Sequence, residues 1–307
     1  MKRRVFVQSS ILTGAGLMLT PNEVLSAQQK RSGLNNFERL TILHTNDTHS
    51  HIEPLSEKDK KFPNQGGVAR RMTLINNIRS EVENVLLFDA GDIFQGTPYF
   101  NMFHGKLELE LMSKMGYNCA TMGNHDFDGG MDGFKNALQY ANFPFVCSNY
   151  DFSDTILNGL TKPYVIFEKG SLKIGVFGIG VPLEGLVPKH LYGDTKYLDA
   201  IKKAQEMADF LKNEAMCDWV VCLSHLGHFP RQFEICDPVL AKETHGIDLI
   251  IGGHTHTLLE KPEVHENLIG EKVLINQVGC YGVILGRIDL YFGEGKSHFK
   301  TRLLTIG

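Results

Sequence analysis

Five short apolar runs, spread over more than two hundred residues, each pass directly into Asp, His or Asn. Leu40–Leu43 leads into His44-Thr45-Asn46-Asp47-Thr48-His49, and Val85–Phe88 into Asp89-Ala90-Gly91-Asp92. Cys119–Met122 leads into Gly123-Asn124-His125-Asp126, Val220–Leu223 into Ser224-His225, and Leu249–Ile251 into Gly252-Gly253-His254-Thr255-His256. Apolar runs of this length bounded by turn residues read as buried strands. In open α/β sheets the crevice outside the carboxyl ends of the strands is where ligands bind. The repeated pattern therefore demands a fold that lays these strands side by side and brings their polar ends together.

The intervening segments supply the rest of such a fold. Residues 67–82 have helical spacing, with Val68, Met72, Ile75 and Ile78 on one face, and 107–115, 131–140 and 197–215 also read as helices. Phe143–Cys147 reads as a fourth strand, and Tyr164–Phe167 with Lys173–Ile179 as a hairpin around Lys169-Gly170. Val283–Tyr291 and Phe299–Leu304 read as antiparallel strands near the C-terminus. Alternation of strand and helix followed by a β-rich end implies a layered α/β domain with mixed sheets. Domain expectations are an export signal over 1–27, a linker over 28–39 and one domain over 40–307.

Charge and cysteine content narrow the function classes. A net charge of −4 without basic clusters argues against a nucleic-acid duplex as partner. No stretch approaches the roughly 20 apolar residues of a membrane span. Lys2, Arg3, Arg4 and Phe6 precede a mild, Gly-containing apolar run from Ile11 to Leu19, then Pro21 and Ser26-Ala27. That layout is an export signal, and the Arg-Arg-x-Phe order is similar to a twin-arginine signal, which implies a periplasmic protein. An ordinary secretory signal is the alternative. The six Cys show no disulfide-framework spacing and no CxxC pair, so buried, reduced thiols are expected.

The residue types at the five strand ends point to metal chemistry. Asp and His without Cys suit Zn, Mn, Fe or Co. Two carboxylates, four imidazoles and an amide make seven ligands, more than one ion needs, so two divalent ions sharing a bridge are expected. Asp92 is the natural bridge, because a carboxylate offers two oxygens. Two ions bring four positive charges, and Asp47, Asp92 and a bridging hydroxide offset three. A centre of about +1 attracts an anion even within an acidic protein. Two ions roughly 3.5–4 Å apart can hold a hydroxide and phosphoryl oxygens together.

In order along the chain, Asp47-x-His49, Gly91-Asp92, Gly123-Asn124-His125-Asp126, His225 and Gly253-His254-x-His256 resemble the signature of the calcineurin-like metallophosphoesterases. His44-Thr-Asn-Asp-Thr-His49, Leu87-Phe-Asp-Ala-Gly-Asp92 with Gln95-Gly96-Thr97, and Gly123-Asn-His-Asp-Phe-Asp128 are similar to the catalytic domain of its 5'-nucleotidase branch. The resemblance spans residues 40 to about 290. It implies a four-layer α-β-β-α sandwich and a phosphohydrolase that uses a metal-bridging hydroxide for in-line attack on phosphorus. By the same resemblance Asp47, His49 and His256 hold one ion, Asn124, His225 and His254 the other, and Asp92 bridges them. His125 stabilises the phosphoryl charge and protonates the leaving oxygen, with Asp128 as its partner. Asp126 stands where the family often has Glu, and no role is read from it.

Other residues near these motifs have blander readings. His44, His51 and His228 are expected to support the site or lie at the surface. Asp89 is expected to be a buried hydrogen-bonding carboxylate, Trp219 a core residue, and Arg70 and Arg71 solvated helix residues. Gly66-Gly67 lacks a P-loop lysine and reads as a helix start. Two-domain 5'-nucleotidases carry a second domain for the nucleoside, and the sequence as given shows no segment for it. The substrate expected is a phosphate ester, foremost a 5'-nucleotide, with a separate chain as one possible source of the nucleoside site. The alternative is a cyclic-nucleotide phosphodiesterase or nucleotide-sugar hydrolase on the same dinuclear centre.

Overall fold

The computed structural model describes residues 38–293 and 296–307. The export signal and nearly all of the linker lie outside them. The chain runs through β1 (Glu38–Thr45), α1 (Val68–Glu81), β2 (Val85–Asp89), α2 (Pro98–Phe103), α3 (Lys106–Met115), β3 (Cys119–Ala120), α4 (Gly130–Leu138) and β4 (Tyr150–Asp151). It continues through β5 (Tyr164–Lys169), β6 (Leu172–Gly180), α5 (Lys189–Tyr192), β7 (Lys196–Tyr197), α6 (Ala200–Asp209) and β8 (Trp219–His225). It ends with α7 (Asp237–Glu243), β9 (Leu249–Gly252), β10 (Glu263–Glu266), β11 (Lys272–Asn276), β12 (Ile284–Gly293) and β13 (Lys296–Thr305).

Two mixed sheets stack face to face. One has the order β13-β12-β1-β2-β3 and the other β10-β11-β9-β8-β6-β5, while β4 and β7 form a small antiparallel pair. Within the first, β1, β2 and β3 are parallel and β12 is antiparallel to β1. Within the second, β6, β8, β9 and β11 are parallel. Side chains of a strand alternate between faces, and the sequence exploits this on both sides. Leu86, Phe88, Val221, Leu223, Leu249 and Ile251 meet between the sheets. Leu87 faces helices α1, α3 and α4 through Ile75, Leu109 and Phe134. Val220, Cys222 and Ile250 face α6 and α7 through Ala204, Ala208 and Leu240. The result is a four-layer α-β-β-α sandwich, as expected, and strands apolar on both faces are what its middle layers require.

Local signals explain the element ends. Asp199 caps α6 by accepting from Lys202 N at 2.7 Å, and Gly116 closes α3 in the left-handed region. The helix expected over 197–215 starts at Ala200 and passes into a π-turn, Phe210–Glu214. Phe143–Cys147 makes isolated bridges, Ala120 with Phe145 and Val146 with Lys162, in place of a strand. β1 begins at Glu38, inside the stretch read as linker, where Arg39 Nη2 pairs with Asp289 Oδ1 at 2.8 Å. Arg71, expected to be solvated, is buried, whereas Arg70 is half-buried. Cys119, Cys147, Cys217, Cys222 and Cys236 are buried free thiols, as expected, and Cys280 is half-buried and free. Among the described residues no helix is long and apolar enough to cross a membrane.

Phe88 is fully buried between the sheets, 5.9 Å from Phe167 between ring centroids. Phe88→Ala is expected to destabilise the fold by about 3–5 kcal/mol, measured as a lower urea midpoint with circular dichroism of the folded variant retained.

Candidate metal centre

The parallel order of the strands places the carboxyl ends of β1, β2 and β3 at the same edge as those of β8 and β9. The candidate ligands therefore gather there although they span residues 47 to 256. Two groups form. Ligand atoms of Asp47, His49 and His256 lie within 4.8 Å of one another, and so do those of Asp92, His225 and His254. Asp92 Oδ2 is 3.1 Å from His225 Nε2 and 3.8 Å from His49 Nε2, between the two groups. Asn124 Oδ1 joins the second group, 2.9 Å from His254 Nδ1.

The hydrogen bonding of these side chains fits divalent cations. His225 uses Nδ1 on the carbonyl of Ala90 at 2.7 Å, leaving Nε2 buried without a hydrogen-bond partner. His49 directs Nδ1 at the carbonyls of Phe94 and Gln95, at 3.3 and 3.2 Å. Its Nε2 faces His256 Nε2 at 3.0 Å. A backbone carbonyl on one imidazole nitrogen fixes the tautomer that offers the other nitrogen to a metal. Converging lone pairs and an orphaned buried acceptor are costly unless a cation is shared among them.

Backbone conformation shows how tightly the site is determined. Asp47, His49, Asp92, His254 and His256 all have φ between 47° and 70°. Non-glycine residues seldom occupy this left-handed region, and runs of such residues mark sites where surroundings override local preference. The surroundings are visible. Tyr281 N donates to Asp47 O at 2.7 Å, and His254 N to Asp47 Oδ1 at 3.0 Å. Asn46 donates to Asp47 Oδ2 at 2.6 Å and to the carbonyl of Gly279 at 2.7 Å. From the end of β11, Gln277 donates to Gly253 O at 2.7 Å and accepts from Thr257 N, gripping the loop that carries His254 and His256. Gly123 is required by close approach, since a Cβ there would sit 2.2 Å from Asp92 Oδ1.

One residue central to this arrangement had no role read from the sequence. The fully buried Asp126 carboxylate accepts from the backbone N–H groups of Asp92, Ile93, Phe94 and Gly123 at 2.8–3.1 Å. It ties the β2 loop to the β3 loop. Burial, then the Asp92 charge, push its pKa up to about 7, while the backbone donors pull it back toward the ionised form. The sequence signal was an acidic residue inside the Gly123–Asp126 motif that no ligand position needed.

His125 stands beside these groups and outside them. Its Nδ1 meets Asp128 Oδ2 at 2.8 Å, and that hydrogen bond raises its pKa. Its backbone N–H donates to Asp92 Oδ1 at 2.8 Å. His125, His49, Asp92, Asn124, His254 and His256 line a cavity of about 580 Å³. Of the neighbouring residues, Asp89 is a buried carboxylate bonded by Thr45 Oγ1 at 2.6 Å, as expected. His44 is buried at the base of the site, where burial lowers its pKa to about 3, and it meets Asn276 at 3.0 Å. His228 Nε2 pairs with Glu263 Oε1 at 3.2 Å, away from the two groups.

Asp126→Asn replaces one carboxylate oxygen by an NH₂ that faces backbone donors. It is expected to cost about 1–3 kcal/mol, measured by denaturation of the metal-free protein, so that any loss is separable from metal binding.

Comparison with known proteins places this geometry. The calcineurin-like phosphoesterase family matches over residues 40–258. The trifunctional nucleotide phosphoesterase protein YfkN of Bacillus subtilis is 35% identical over 83% of this chain, which spans 18% of that protein. The snake venom 5'-nucleotidase of Gloydius brevicauda is 32% identical over 85% of this chain, which spans 47% of it. The crystal structure of a 5'-nucleotidase precursor from Thermus thermophilus superposes with a TM-score of 0.79 at 32% identity, covering 88% of this chain and 55% of that one. The chain thus spans less than half the length of the two relatives matched by sequence. With its fold, its two candidate ligand groups and this match over most of its length, the chain belongs to the calcineurin-like phosphoesterase family and has 5'-nucleotidase homologues.

Proposed function

We propose that this domain is a 5'-nucleotidase-like phosphomonoesterase, and that two divalent ions are held by Asp47, His49 and His256 on one side, by Asn124, His225 and His254 on the other, and by Asp92 between. The observation that carries the reading is Asp92 Oδ2 between His225 Nε2 and His49 Nε2, at 3.1 and 3.8 Å. When bound, the ions supply Lewis acidity and a nucleophile at neutral pH. The chain's own residues do the rest. Asn46, Gln277 and Asp126 hold the ligand loops before substrate arrives, so little reorganisation is left for the reaction. His125 lines the same cavity, and with Nδ1 engaged by Asp128 its Nε2 is the atom available to the phosphoryl group and the leaving oxygen. Asp128 favours the imidazolium, which stabilises developing negative charge and then protonates the departing alkoxide.

Substrate preference follows the relatives less directly. The snake venom and Thermus proteins are named as 5'-nucleotidases, and YfkN as a trifunctional nucleotide phosphoesterase. We take 5'-nucleotides as the first choice. Phosphodiester or nucleotide-sugar hydrolysis is the second, because the name of YfkN gives it more than one function on nucleotide phosphoesters. Nothing among the described residues speaks for a separate chain that completes the site. Export, with residence in the periplasm, is proposed from Lys2-Arg3-Arg4-Val5-Phe6 and the apolar run after it.

Phosphate release from AMP by the mature chain with Mn²⁺ is the direct test. His125→Ala is expected to retain metal and lower kcat by about 10²–10⁴, and Asp128→Asn to lower it by a smaller factor. Undiminished turnover in the metal-loaded His125→Ala protein refutes the role. Asp92→Asn is expected to leave fewer than two ions per chain after dialysis, read by elemental analysis; two tightly held ions would remove the bridge.

A further inference from the structure

The cavity above the ligand groups extends to a wall that the phosphoryl chemistry does not use. Tyr281, between β11 and β12, is held there at φ 62°, a backbone conformation that a bulky residue adopts only when its surroundings impose it. Its N–H is bonded to Asp47 O at 2.7 Å, so the ring is tied to the first ligand group. The ring lies 4.2 Å from that of His51 at 33°, and 5.9 Å from that of His256. Half-buried, it lines the cavity together with Leu55, His51 and Asp59.

Asp59 is equally fixed. Its Oδ1 accepts from Lys61 N at 2.9 Å and Phe62 N at 2.7 Å, leaving Oδ2 free of partners among the described residues. Asp59, His51 and Tyr281 thus line one cavity, with the two rings in contact. Arg231 lines the same cavity. A guanidinium and a carboxylate both line it, with a tyrosine ring beside His51.

We infer that Tyr281 and Asp59 form a leaving-group subsite within this domain, specific for a ring that carries hydroxyl donors, such as ribose with its attached base. This rests on the phosphohydrolase reading for the position of the phosphate. An anchored carboxylate oxygen is a strong acceptor for a sugar hydroxyl. A fixed aromatic face stacks on a planar ring with little entropic cost. A negative charge at this wall opposes leaving groups that carry further phosphates. Such a subsite favours a nucleoside monophosphate over a linear phosphate ester.

Binding of adenosine tests this without turnover. Equilibrium dialysis of the full chain with adenosine is expected to show saturable binding, weakened about tenfold by removal of the ribose hydroxyls in 2',3'-dideoxyadenosine, the loss of one good hydrogen-bonded pair. Tyr281→Leu is expected to weaken adenosine binding about tenfold or more. Asp59→Ala, a change near the surface, is expected to abolish the difference between the two nucleosides. Adenosine binding that is absent, or unchanged in both variants, overturns the subsite. If adenosine binds as expected while AMP and p-nitrophenyl phosphate release no phosphate, the subsite stands and the phosphohydrolase reading fails. If phosphate is released and adenosine ignores both variants, the reverse holds.

Discussion

Bringing seven polar side chains to one point is the constraint on which the rest of this structure depends. In each of two groups, one carboxylate and two imidazoles bring ligand atoms within 4.8 Å of one another, an arrangement that needs a proton or a cation shared among them. Five of the seven residues also sit in a backbone conformation that isolated chains avoid. Each such residue costs on the order of 1–3 kcal/mol, so the arrangement persists only because something else over-determines it. That something is the pair of stacked sheets. With both faces of every central strand buried, the strands cannot slide or rotate, and their carboxyl ends have no freedom to separate.

Between the rigid sheets and the strained loops lies a layer of hydrogen bonds that transmits the constraint. Asp126 gathers four backbone N–H groups from the β2 and β3 loops. Gln277 reaches from β11 to the loop after β9, and Asn46 reaches from the loop after β1 to Gly279. Each of these side chains joins loops distant in sequence, and none is a candidate ligand. A buried network of this kind is stabilising only when fully satisfied. The same layer carries Tyr281, whose backbone is bonded to Asp47, so the wall of the cavity is registered to the candidate ligands.

Much of this is legible in the sequence, and the pattern of what is not is informative. The candidate ligands and the His125–Asp128 pair can be read because each sits in a local word, a strand followed by Asp, His or Asn. The four layers can be read because runs such as Val220–Leu223 are apolar on both faces. Asp126 escapes such reading because its four donors come from residues 92–94 and 123, and no local pattern announces a carboxylate aimed at another loop's backbone. Arg71 reads wrongly as solvated because helical spacing gives an arginine no sign that the 281–283 turn covers it; a Cβ on Gly282 would lie 2.0 Å from its Nη1. The 143–147 run has the composition of a strand, yet it finds only isolated bridges.

The sequence by itself determined the order of the strands' polar ends, the candidate donor set, and the alternation that buries both sheet faces. Those are properties of residue type and spacing along one strand, and they survive without knowledge of neighbours. Only the tertiary structure decided that Asp92 lies between the two groups, that Asp126 locks its loop, that five candidate ligands adopt left-handed backbone, and that Tyr281 and Asp59 line the same cavity. Each of these depends on distances between segments tens to hundreds of residues apart. Such distances are set by how two sheets stack and in what register, which is a collective outcome of packing that no single segment encodes.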